Sequence, residues 1–343
     1  MYRPNFNDLL KVIERKPTER PVLFEFYISN IEVAEFLSGR KQQSIWQLMQ
    51  EPETNIAAMR RAGFDYITMN ASNFGFPIRE IEEKSSLSLN AGATIVDRKT
   101  FESYSWLDPE KCDESLLLQA GKLLPKGMKI IVMGPCGVLE NVVRLVGYDN
   151  LCYMMYDDPD LTEKIFCEVG QRFVRYYERC ADYDFVGALI SNDDWGFNSG
   201  TMISPDQLRR YVFPWHRKIV EVAHKAGKPI ILHSCGNLDA VYDEIIDDLK
   251  YDAKHSNEDK ILSVEEAYDK YSSRIAILGG IDVDFIIRSN DDAIEKRCKQ
   301  MLEKSVVKGG YALGTGNSVA EYMPLAKYRV LLNTVKESRG YEL

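Results

Sequence analysis

The chain has no long apolar run. None approaches the roughly 20 residues that a bilayer-crossing helix needs. It has no excess of positive charge either. Its 43 Lys and Arg stand against 52 Asp and Glu, a net −9, whereas a nucleic-acid binder carries a basic face. There is no Cys-x-x-Cys pair. The seven cysteines lie scattered at positions 112, 136, 152, 167, 180, 235 and 298, an odd number in a long chain, which suits reduced thiols and not a disulfide framework. Histidine is scarce, with four in 343 residues. The opening Met1-Tyr2-Arg3-Pro4-Asn5 carries neither the apolar core of a signal peptide nor a lipidation motif. Together these absences lead to the expectation of a soluble cytoplasmic enzyme that binds neither nucleic acid nor membrane.

What is present points to an α/β scaffold. At 45% hydrophobic and 28% charged, the composition excludes disorder, and the length suffices for one large α/β domain or two smaller ones. Short β-branched runs recur at residues 21–28, 64–70, 129–137, 185–195, 229–236, 252–258, 275–282 and 310–317, separated by amphipathic stretches. Eight such runs predict a (β/α)8 barrel of the TIM type. The sixth run is polar, with Lys254 and His255, and is read as a strand because the spacing requires one. Helix signals separate the runs. Ser204-Pro205 opens one helix, with Gln207 set for a capping box, and Pro214 should kink it. Asp158-Pro159 opens a second, with Leu161, Ile165, Val169 and Phe173 on one side. Asn290 caps a third that buries Ile294, Cys298 and Met301. After the second strand comes an insertion of about residues 71–116, with Phe74, Phe76, Phe101, Tyr104 and Trp106 and a possible hairpin at 93–97. Such insertions serve as lids or pocket walls; a dimer contact is the competing role.

In a barrel of this kind, side chains at the carboxyl ends of the strands meet in one cleft. The run Pro229-Ile230-Ile231-Leu232-His233-Ser234-Cys235-Gly236-Asn237 brings imidazole and thiol to that rim. On alternate positions of a regular strand they point the same way, about 6–7 Å apart at Cα, and sulfur with imidazole favours zinc. A buried structural cysteine beside a hydrogen-bonded histidine is the plainer alternative. His255, on the next strand, is either a third ligand or a hydrogen-bond partner of a carboxylate. Glu258 is an oxygen ligand or base, or a solvated loop residue. Asp193 and Asp194 close the fourth strand as a general base, or as a loop cap and an acceptor of backbone amides. Glu25, Asn70, Trp195 and Thr315 reach the same cleft, and Tyr104, Trp106 and Trp195 would enclose a substrate. His216 and His224 fall within helices and read as structural or surface residues.

Several segments resemble the uroporphyrinogen decarboxylase superfamily in order: Ser204-Pro205, Ala223-His224-Lys225-Ala226-Gly227-Lys228-Pro229, His233-Ser234-Cys235-Gly236-Asn237, Leu278-Gly279-Gly280-Ile281-Asp282 and Gly309-Gly310-Tyr311-Ala312-Leu313-Gly314-Thr315-Gly316. The resemblance implies one of two activities on one barrel: cofactor-free decarboxylation of porphyrinogen acetates, or zinc-dependent methyl transfer between a corrinoid protein and a small thiol or methylated compound. It also implies a homodimer. The arginine-rich segment of the decarboxylase branch is here Glu25-Phe26-Tyr27-Ile28-Ser29-Asn30, its aspartate is Asn70, and its Gly-His-Gly is Gly314-Thr315-Gly316. The methyltransferase branch keeps its His-x-Cys as His233 and Cys235, but its third ligand, a cysteine, falls on Thr315. A replacement ligand is then sought among His255, Glu258, Glu25 and the aspartates of the fourth strand. Exchanging thiolate for imidazole or carboxylate makes the metal a stronger Lewis acid, suited to an ether or amine that gives up a methyl group. The expectation is a zinc-assisted methyltransferase acting with a corrinoid protein. A metal-free decarboxylase or lyase acting on a small acid is the second reading, and a non-catalytic binding subunit the third.

Overall fold

The computed structural model describes residues 2–44, 46–79 and 88–339. Seven strands form one parallel sheet: β1 (Tyr66–Asn70), β2 (Lys129–Met133), β3 (Val186–Asn192), β6 (Ile230–His233), β7 (Ala253–His255), β8 (Ala276–Leu278) and β9 (Tyr311–Ala312), in that spatial order. A small antiparallel hairpin, β4 (Gly196–Phe197) with β5 (Gly200–Thr201), follows β3. Helices cover the outer face, as parallel crossovers require. The result is the α/β fold of the TIM type that the spacing predicted, and the polar sixth run is indeed a strand.

The first predicted strand, residues 21–28, forms the eighth stave by isolated bridges and not as a continuous ladder. Leu23 bridges Leu313 and Ile28 bridges Val319, with Phe24 N–H donating to Leu313 O and Leu313 N–H to Val22 O, both at 2.8 Å. On its other side, among the described residues, no backbone hydrogen bond joins this stave to β1. Side chains close the seam. The Tyr66 hydroxyl donates to Glu25 O and accepts from Glu25 N–H, both at 2.8 Å, and Thr68 Oγ1 donates to Phe26 O at 2.7 Å. Close approach at the opposite seam requires glycine: a Cβ on Gly314 would lie 1.7 Å from Phe24 O.

Strands end earlier than the apolar runs because the backbone turns. β8 stops at Leu278 since Gly279 and Gly280 take φ of +66° and +103°, values open to glycine. Caps form where the sequence offered them: Asp158 accepts from Leu161 N–H, and Asn290 from Ala293 N–H. Ser204 accepts from Gln207 N–H at 3.3 Å, but the expected capping box does not form, since Gln207 Oε1 has no hydrogen-bond partner. Pro214 has no amide hydrogen, and the helix meets it with a π turn over Leu208–Val212 before Phe213–Lys225. In the insertion, Asp97 caps a helix Arg98–Ser103, and a 3-10 turn spans Pro109–Lys111. The hairpin expected at 93–97 does not form, because Thr94 and Ile95 both donate their amides to Leu145 O, at 2.6 and 2.8 Å. Residues 80–87 of the insertion lie outside the described residues. No helix among the described residues is long and apolar enough to cross a membrane.

Candidate metal centre at the strand ends

His233 ends β6 and pairs in register with His255 at the end of β7. Beyond His233 the chain turns at Gly236, φ +84°, where a Cβ would lie 2.1 Å from Gly196 O. That turn holds Cys235 beside His233, with Sγ 3.7 Å from His233 Nε2. Asp194, two residues past β3, accepts the Cys235 amide hydrogen on Oδ1 at 2.7 Å. Asp194, His233 and Cys235 each offer a ligand atom, and the three atoms lie within 4.8 Å of one another. Asn317 Nδ2 donates to the sulfur at 3.4 Å, and Ser256 Oγ stands 3.7 Å from it.

Burial sets the electrostatics of this trio. Burial and then the Asp194 carboxylate push the Cys235 thiol well above the ordinary thiol range. Burial also holds the Asp194 carboxyl above its usual range, and burial keeps His233 neutral. Thiolate, carboxylate and neutral imidazole are the forms that bind a metal, and a divalent cation bound here would supply the counter-charge that favours the two anionic forms.

His255 stands outside the trio, contrary to its expectation as a ligand. Its Nδ1 is 2.8 Å from His233 Nδ1 and its Nε2 is 3.2 Å from Thr315 O, so both ring nitrogens are engaged. Burial pushes its pKa down to about 3.

Of the roles expected of Asp193, general base or cap and acceptor of backbone amides, the structure shows the second, because its four side-chain hydrogen bonds are all internal. Its Oδ2 accepts from Leu139 N–H, Trp195 Nε1–H and His216 Nε2, and its Oδ1 from Glu140 N–H, each at 2.9 Å. It therefore caps the helix Val138–Val146, where a carboxylate meets free amides and the positive end of the dipole. Gly137 must be glycine for this approach, since a Cβ there would lie 2.1 Å from the Asp193 Cβ. Trp195, expected in the substrate wall, is fully buried and meets the His216 ring edge-on at 4.7 Å. It supports the site from below.

A cavity of about 470 Å³ opens over the trio. Its lining includes Phe26, Tyr27, Trp46, Phe76 and Met133 on the apolar side and Asn70, Glu140, Arg144, Asn192 and Asn317 on the polar side. Asn70 ends β1, and its buried Oδ1 has no hydrogen-bond partner. Tyr104 and Trp106 lie outside this lining. They meet edge to face at 4.5 Å, and Trp106 meets Phe76 edge-on at 6.3 Å, so they back the wall from behind. Glu258 lines a neighbouring cavity of about 230 Å³ with the buried Lys254. Glu25 is wholly buried. It faces Thr315 N at 3.0 Å and Thr315 Oγ1 at 2.6 Å, and burial pushes its pKa up to about 8. Thr315 directs its hydroxyl to Glu25 and to Asn317 O.

Glu140 is the residue that sequence reasoning missed. Its carboxyl lines the cavity and accepts from Gly137 N–H at 3.1 Å. Burial first, then Asp194 and Asp193, raise its pKa well above the carboxylate range. The spacing Gly137-x-x-Glu140 just past the third predicted strand is a helix-start signal that would have located it. Arg144, one turn on, reaches Cys136 Sγ at 3.5 Å.

The model of the uroporphyrinogen decarboxylase (URO-D) family matches residues 8–338. A uroporphyrinogen decarboxylase from Syntrophotalea carbinolica is 21% identical over 182 residues, 53% of this chain. The matched part spans about half (50%) of that relative's length. Among solved structures, a methyltransferase from Methanosarcina mazei superposes with a TM-score of 0.69 at 16% identity, over 98% of this chain and 99% of that one. That likeness is one of fold.

Proposed function

The chain belongs to the uroporphyrinogen decarboxylase family, and from that premise and the donor set of its cavity we propose a zinc-dependent methyltransferase. It moves a methyl group between a small methylated substrate (an ether, amine or thiol) and a corrinoid protein that docks at the barrel mouth. The methyltransferase fold-neighbour supports this choice between the two activities on this barrel. The carrying observation is that Asp194, His233 and Cys235 present three metal donors within 4.8 Å at the floor of the cavity.

Three protein donors of this kind leave a fourth position open, as catalytic zinc sites do. Zinc bound there would act as a Lewis acid on the atom that bears the methyl group. The residues around it have separable tasks. Phe26, Tyr27, Trp46, Phe76 and Met133 exclude water from one side of the cavity. Asn70 Oδ1, buried without a donor, accepts a hydrogen bond from the substrate. Glu140, protonated through burial and its two acidic neighbours, delivers a proton to the atom that loses the methyl group. Phe76, from the insertion after β1, is the wall that meets the substrate on that side.

The decarboxylase alternative fits this cavity poorly. A substrate with several carboxylates needs a cationic wall, yet Arg144 is the sole Lys or Arg among the described lining residues, and Glu140 and Asp194 face the same space. Methyl transfer from model ethers and amines to a free corrinoid, with and without a chelator, separates the two. Chelation that abolishes transfer supports the proposal. Release of carbon dioxide from small acids that persists under chelation contradicts it.

A further inference from the structure

We propose that His255 is a positioning residue that fixes the tautomer of His233 and so points the His233 Nε2 lone pair at the space shared with Cys235 and Asp194. This rests on the reading of His233 as a metal ligand, but the hydrogen-bond relay exists without a metal and can be tested without one.

The direction of the relay follows from its far end. Thr315 O can only accept, so the 3.2 Å contact requires a hydrogen on His255 Nε2. A neutral imidazole with hydrogen on Nε2 has a bare Nδ1. The 2.8 Å contact between the two Nδ1 atoms then requires His233 to carry its hydrogen on Nδ1. That leaves His233 Nε2 bare, 3.7 Å from Cys235 Sγ. Among the described residues no carboxylate hydrogen-bonds either ring, and the two side chains are buried. A charged imidazolium would be costly there.

Packing holds both rings in the orientation the relay needs. Phe26 stacks on His233 with centroids 4.1 Å apart and planes at 23°, and Phe24 meets His255 edge-on at 5.2 Å. The backbone is shaped to the same end. Gly279, at φ +66°, leaves the space where a Cβ would lie 2.4 Å from Thr315 O and 2.9 Å from His255 Nε2. A metal-bound histidine ordinarily spends its other nitrogen on a carbonyl, carboxylate or water, and losing that partner costs about 10–100-fold in metal affinity. Here the partner is a second imidazole, which the carbonyl orients in turn.

Nitrogen-15 NMR of the metal-free protein reads the tautomers directly. The expected result is hydrogen on Nδ1 of His233 and on Nε2 of His255, with the other nitrogen of each bare. Cobalt(II) titration followed by absorbance gives the second readout. His255→Leu should bind cobalt about 10–100-fold more weakly and show a mixed His233 tautomer. His255→Asn, which keeps an acceptor near the Nδ1 position, should recover most of the affinity. Hydrogen on His233 Nε2 in the metal-free wild type overturns the inference. So does a His255→Leu variant with unchanged tautomer and affinity, or a folded His255→Asn variant no better than His255→Leu. If His255→Leu does not fold, the wild-type spectrum and the Asn variant decide. If the wild type binds no cobalt, the functional proposal falls, and the spectrum alone decides the relay.

Discussion

Asp193 and Asp194 are neighbours in the chain and serve opposite sides of the end of β3. Asp193 turns inward, to the first amides of the helix Val138–Val146 and to Trp195 and His216. Asp194 turns to the Cys235 amide and the metal donors. Successive side chains of an extended segment point to opposite faces, so one pair of aspartates supplies both a structural cap and a candidate metal donor.

The pair therefore separates on mutation. Asp193→Ala strands several buried donors, and each costs about 1–3 kcal/mol when left without a partner. A loss of at least about 3 kcal/mol in urea unfolding is expected. Asp194→Ala should leave the unfolding midpoint of the metal-free protein near that of the wild type while abolishing metal binding. Equal effects of the two substitutions on both readouts would contradict this division.

Glu25 gives a pH signature. Burial holds its pKa at about 8 in the folded chain, against 4.5 for an exposed glutamate. Between those values the folded state binds more protons than the unfolded state, so Glu25 makes stability fall as pH rises across that window. Below it the group has no effect, and above it the loss is complete. Glu25→Gln should gain on the wild type by more than about 1 kcal/mol between about pH 5 and pH 8 in denaturant unfolding. A difference that is flat with pH means that Glu25 is ionised in the folded protein.

The two seams of the first stave differ in kind and should fail differently. Gly314→Ala forces a Cβ onto Phe24 O and should cost about 3 kcal/mol or more. Tyr66→Phe removes the hydroxyl that serves both Glu25 N–H and Glu25 O, at about 1–3 kcal/mol. Unfolding curves rank the two, and a Gly314→Ala variant as stable as the wild type would mean that this seam is open.

The barrel was legible in the sequence because period is a local signal: eight apolar runs alternate with capped helices, and even the polar run with Lys254 and His255 becomes β7. The His-x-Cys pair was legible because its two residues are close in sequence, although β6 ends at His233 and the turn at Gly236, not a regular strand, sets Cys235 beside it. What could not be read was the employment of each acid. Asp193 and Asp194 look alike in sequence, and only the placement of the Val138–Val146 helix against β3 assigns one to a cap. Thr315 pointed to a missing ligand, and the aspartates after the fourth predicted strand were among four kinds of candidate; choosing Asp194 from them took the fold, which sets its carboxylate beside His233 and Cys235, a long-range relation without a local pattern. Tyr104 and Trp106 sit one layer behind Phe76 because the insertion packs on the long helix Pro159–Ala181, where Arg172 covers the Trp106 ring at 4.9 Å.

The most direct measurement is the zinc content of untagged protein, wild type and variants, after exhaustive dialysis. The account predicts about one zinc per chain in the wild type and none in His233→Ala, Cys235→Ala or Asp194→Ala, with Thr315→Ala still loaded. Wild-type protein that holds no zinc, or an Asp194→Ala variant that keeps its full content, would contradict it.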